Sequence, residues 1–102
     1  MDTNQLVEHG RARFEHAQAR RVLKEKYQAR MLFAHAGGMW RAGPELLAIL
    51  QSVPVEDDIV ILDLYENPIK INPLELQYLA HNRWQEQMNA WLVEHDELSK
   101  KR

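Results

Sequence analysis

Two stretches of the chain share one pattern, and it constrains the fold more than any other feature. Gly43-Pro44-Glu45-Leu46-Leu47-Ala48-Ile49-Leu50 and Asn72-Pro73-Leu74-Glu75-Leu76-Gln77-Tyr78-Leu79 each run as a capping residue, a proline, and leucines three and six positions after the proline. Proline suits the first turn of a helix, because its φ is already helical and its missing N–H has no partner to lose there. Each stretch therefore predicts a helix start. The first helix is expected over Pro44 to about Val53, with Leu46, Ile49, Leu50 and Val53 buried. The second has Glu75 at its third position, completing a cap signature, and carries Leu76, Ala80, Trp84, Met88, Trp91 and Leu98 on one side.

Each helix start also follows a turn signal. Gly37-Gly38 lies between two short runs, and glycine tolerates the positive φ that a two-residue hairpin turn needs. A turn centred there sets His35 opposite Trp40 and Phe33 opposite Ala42. Farther on, Tyr65-Glu66-Asn67-Pro68 separates Ile59-Val60-Ile61-Leu62 from Ile69-Lys70-Ile71. The first of these runs is apolar throughout and mostly β-branched, as a central strand would be, and the second alternates. The expectation is α+β: a long N-terminal helix, then two hairpin–helix (ββα) units. Their four strands would form one antiparallel or mixed sheet with helices packed on it. The repeat is open to a second reading, since hairpins followed by proline-started helices are common.

Residues 1–102 are expected to be one domain, with composition that can support a core: 45% hydrophobic and 27% charged residues. Cysteine is absent, which removes disulfides, thiolate metal sites and thiol nucleophiles. It also points to a reducing, cytoplasmic setting. Neither a signal-peptide pattern nor an apolar run of bilayer length is present.

The first helix is expected over residues 3–30, capped by Asp2 or Thr3, with Gly10 as its weak point. Ala12, His16, Ala19, Leu23 and Tyr27 form a narrow seam, while Val7 and Phe14 lie on another face. A single core covers one such face, so this helix is a candidate arm for oligomerisation or partner binding. Charge adds to the reading. Residues 1–31 carry a net of +3. Residues 44–79 hold Lys70 against seven carboxylates, a net of −6.

Candidate chemistry is sparse. His9 and His16 each follow a glutamate seven residues apart, without the HExxH spacing of a zinc helix. His81 and His95 lie about 21 Å apart along a helix, too far to share an ion. Glu56, Asp57, Asp58, Asp63 and Glu66 flank one strand, a setting either for a Mg²⁺ or acid–base site or for ordinary solvated strand ends. No serine has the setting of a nucleophile, and the glycine pair matches no phosphate-binding loop. No catalytic residue, metal or cofactor is expected.

The stretches Ala36-Gly37-Gly38-Met39-Trp40-Arg41-Ala42-Gly43-Pro44-Glu45-Leu46 and Asn67-Pro68-Ile69-Lys70-Ile71 resemble small uncharacterised proteins of tailed, myovirus-type phages. The resemblance covers the middle third of the chain and implies a virion, assembly or host-interaction role, in host cytoplasm or virion. Residues and resemblance together point to a non-enzymatic protein that acts through protein–protein contacts. It would be a homo-oligomer or a component of a larger complex, with Phe14, Arg20, Arg21, Leu23, Tyr27 and Trp91 as partner-binding residues. The alternative is nucleic-acid binding through the basic first helix, where Arg11, Arg13, Arg20, Arg21, Lys24, Lys26 and Arg30 would meet phosphates.

Overall fold

The computed structural model of the chain describes residues 3–100, so the expected cap at Asp2 lies outside the described residues. Helix α1 spans Thr3–Arg30, followed by strands β1 (Leu32–His35) and β2 (Gly38–Arg41) and helix α2 (Pro44–Gln51). Strands β3 (Ile59–Leu62) and β4 (Pro68–Ile71) lead into helix α3, Pro73–Lys100. The class is α+β, with each hairpin followed by a proline-started helix. Leu47 N–H donates to the Gly43 carbonyl, and the Asn72 side-chain oxygen accepts from Glu75 N–H at 3.1 Å. Each proline therefore stands behind a residue that accepts the first bonds of its helix.

The expected four-stranded sheet is not present. β1 pairs only with β2, and β3 only with β4, as two antiparallel hairpins. The reason lies at the junction. Leu64 N–H donates to the Met39 carbonyl at 2.8 Å, which begins a ladder between the hairpins. The next donor, Met39 N–H, meets the Asp63 carboxylate at 3.1 Å instead of a strand carbonyl. A side chain occupies the place where the ladder would continue, so the hairpins are stitched at a point and do not merge.

The first hairpin turns one residue earlier than expected. Phe33 opposes Trp40 and His35 opposes Gly38, with Ala36 (φ 53°) and Gly37 (φ 82°) in the turn. Gly38 is needed elsewhere. It is buried in β2, and a Cβ there would lie 3.1 Å from Ile69 Cγ1 and 3.2 Å from both Asp63 Cβ and Trp40 Cζ2. The close approach of the second hairpin claims the glycine, and an alanine is left at positive φ. Trp40, turned inward by this register, is buried and donates from Nε1 to the His35 carbonyl at 2.9 Å.

The core joins Met31, Phe33, Trp40, Leu46, Leu50 and Ile71 to Leu76 and Ala80 at the start of α3. α2 buries Leu46, Leu47 and Leu50 and leaves Ile49 half exposed, a shift of face from the expected set. β3 is not a central strand: Ile59 and Ile61 face the core while Val60 and Leu62 face water. The second half of α3 runs along α1, antiparallel to it, since Tyr27 meets Trp91 and Lys26 meets Glu94.

Two substitutions test this register with opposite signs. Ala36→Asn creates the Asn-Gly pair favoured in such turns and should stabilise the fold by about 0.5–1 kcal/mol. Gly38→Ala forces a Cβ against three side-chain atoms and should destabilise it by roughly 1–3 kcal/mol. Denaturant midpoints read both; an Ala36→Asn that destabilises would place the turn at Gly37-Gly38.

Candidate interaction surface

The surface is built on α1. From His16 to Tyr27 the expected seam packs on α3: His16, Ala19 and Leu23 are half-buried and Tyr27 is 2% exposed. Leu23 and Ala19 border a small hollow with Glu94, Glu97 and Leu98. The Tyr27 and Trp91 rings stack with centroids 5.9 Å apart and planes 7° from parallel. Lys26 Nζ and the Arg30 guanidinium stand over the Tyr27 ring at 5.3 and 5.4 Å, in cation–π range. Glu94 draws this end together. Hydrogen bonds from Tyr27 and Lys26 hold its carboxyl below the usual range, and the bond to Glu94 holds the Tyr27 hydroxyl above its own. Lys26 Nζ lies 2.9 Å from Glu94 Oε1.

Beyond His16 the helix runs on without α3 beside it. Every residue from Thr3 to Glu15 is exposed, Ala12 of the seam included. Leu6, Val7 and Phe14 are 57%, 54% and 64% exposed, Val7 and Phe14 on the side of α1 opposite the seam. At 1.5 Å per residue this arm is about 20 Å long. It contributes to dimensions of 68 × 24 × 20 Å.

Of the residues expected to bind a partner, Phe14, Arg20 and Arg21 are exposed. Leu23, Tyr27 and Trp91 are engaged within the chain, where they fasten α1 to α3. The spacing that marked them as a seam carried no information on which helix would fill it.

A second feature was not foreseen. A groove of about 740 Å³ opens between the end of α1, helix α2, the middle of α3 and the segment after β3. Ile49, Leu62, Leu64, Trp84, Met88 and Trp91 give it an apolar lining, with Glu45 and Arg41 as charged neighbours. The amphipathic pattern assigned Ile49 to a buried face and placed Trp84 and Met88 on one side of the last helix. Ile49 and Met88 are exposed here, and Trp84 packs at the edge of the core.

The acidic set does not converge. Asp63 is 8% exposed, and its carboxylate accepts from backbone N–H groups of Tyr65 (3.0 Å), Asn67 (2.9 Å) and Met39 (3.1 Å). Those bonds, led by Asn67 and Met39, hold its pKa below the usual range. Asp63 is a structural acceptor here. Glu56, Asp57, Asp58 and Glu66 are exposed in loops. Among the described residues no three of His, Asp or Glu are grouped to hold a metal ion. His35 Nε2 lies 3.9 Å from Glu75 Oε1, joining the first hairpin to the start of α3. No described helix is long and apolar enough to cross a membrane.

The Asp63 bonds carry a pH prediction. Its folded pKa is depressed, so the stability it adds is present above the ordinary carboxylate range and is lost as pH falls through the folded value. Asp63→Asn turns one carboxylate oxygen into an amide N–H₂, which must face either Met39 N–H or the N–H groups of Tyr65 and Asn67, donor against donor. It should lower Tm by roughly 5–10 °C at neutral pH. The acid slope of stability should become shallower and not vanish, because Glu94 is depressed in the same direction. Thermal melts from pH 7 to 3 on both proteins measure this.

No protein-family model, no curated protein and no solved structure matches the chain, so the reading of its role rests on its own surfaces.

Proposed function

We propose that the protein works through contacts with other protein chains, as a homo-oligomer or as a component of a larger assembly, and not as a catalyst. One observation carries this reading. Among the described residues, Thr3 to Glu15 of a 28-residue helix are all exposed, yet this stretch bears Leu6, Val7 and Phe14. An isolated polar helix of this length is marginal in water, and apolar side chains repeated on its outer face gain free energy only when another surface covers them. A place in a phage virion or its assembly is the form of this role implied by the sequence resemblance.

A second reading is supported by the cations of α1. Arg11, Arg13, Arg20, Arg21 and Lys24 are all exposed and make no ion pair among the described residues. That is the electrostatic footprint of a phosphate-binding helix. Their arrangement around the helix and the overall net charge of −2 favour the protein-contact reading.

Native mass by light scattering, over a range of concentration and salt, separates the two. The expected result is a mass above one chain that falls as salt rises, because exposed charge attraction is screened within about 8–10 Å. A chain that stays monomeric alone but shifts on added DNA or RNA, with the shift abolished by Arg20→Glu plus Arg21→Glu, would establish the second reading instead.

A further inference from the structure

The arm and the groove are complementary surfaces that one molecule cannot bring together. Gln28 and Met31, at the other end of α1, line the groove. Phe14 lies 14 residues up the same helix, about 21 Å away by helical rise. α1 is continuous, so its arm cannot bend back into its own groove.

We propose that the groove receives the arm of a second copy of this chain, so that copies join head to tail. This inference rests on the protein-contact reading above and names the partner. Val7, Gly10, Phe14 and Ala17 follow one another at spacings of three, four and three, the ridge of a helix that lays one face into a groove. Nothing lies within 4 Å of where a Gly10 Cβ would stand, and its lack of a side chain lets a receiving surface come close to the backbone. The groove has room for several large side chains and an apolar lining suited to Phe14.

Charge selects this occupant over an arm-to-arm pair. Arg11, Arg13 and Arg20 flank the ridge, so two arms laid together would set cations against cations. The body that carries the groove is acidic, with a net of −6 over residues 44–79, and the groove itself carries Glu45 beside Arg41. A ridge flanked by arginines entering an acidic body is an unlike-surface contact. Each copy keeps one free arm and one free groove, and such contacts propagate into rings or open chains.

The test uses two broken surfaces. Phe14→Lys spoils the arm. Ile49→Lys spoils the groove at a side chain that is 48% exposed, and Met88→Lys serves the same purpose should Ile49→Lys fail to fold by circular dichroism. Each variant alone should associate at least about tenfold more weakly than the unaltered chain. An equimolar mixture of an arm variant and a groove variant should form a dimer and stop there, because it contains one intact arm-and-groove pair. A groove variant that assembles like the unaltered chain, while Phe14→Lys does not, would overturn the groove as receiver and leave the protein-contact reading standing. A mixture that forms no dimer would overturn arm-to-groove pairing in the same way. An unaltered chain that is monomeric at every concentration and salt would overturn both.

Discussion

The fold depends on the carboxylate of Asp63. Three backbone N–H groups converge on it, two from its own loop and one from the other hairpin. Without an acceptor these partly buried donors would each forfeit some of the hydration they have in the unfolded chain. The loop bonds close the second hairpin over Leu64-Tyr65-Glu66, where Glu66 takes a positive φ of 63° and Asp63 N–H donates to the Asn67 carbonyl at 2.9 Å. The Met39 bond sets that hairpin against the first. Its position in turn brings the Asp63 and Ile69 side chains up to Gly38, which is why β2 must begin with a glycine. Hairpin register, turn residues and the seating of Trp40 follow from one side chain that accepts in two directions.

Local signals made the helices legible. Proline behind a capping residue marks where α2 and α3 begin because the requirement is local: a fixed φ and an N–H that has no partner. The hairpins were legible as hairpins and not in detail. Two adjacent glycines do not say which serves the turn and which serves a close contact from a strand 30 residues away. Four apolar residues in a row, Ile59 to Leu62, do not say whether one face or two will be covered. The single sheet failed on the same ground, since a carboxylate in place of a carbonyl is a tertiary event.

The interaction surface was legible in part. Ala12, His16, Ala19, Leu23 and Tyr27 share a face by spacing alone, and Phe14 with Val7 lies elsewhere by the same count. Where that face ceases to be covered depends on how far α3 reaches beside it, which spacing cannot express. Tyr27 and Trp91 illustrate the limit. Both are large aromatics on helical stripes, suited in sequence to an outside partner, and each proves to be the other's partner. The groove was invisible for the converse reason: its residues follow the pattern of a core, and only the packing shows that the core is left open on that side.

The stack of Tyr27 on Trp91 has a mechanical consequence. It fastens α1 near its C-terminal end, together with the Lys26–Glu94 pair. The helix stays against α3 as far as His16, and Thr3 to Glu15 run on from there for about 20 Å as a stiff rod. A cantilever magnifies angle into displacement: a tilt of about 5° where that contact ends carries the tip through about 2 Å at that length. The same helix forms one wall of the groove through Gln28 and Met31. Force on the tip is therefore carried, as torque, through the packing of Ala19, Leu23 and Tyr27 on α3 to the wall of the groove.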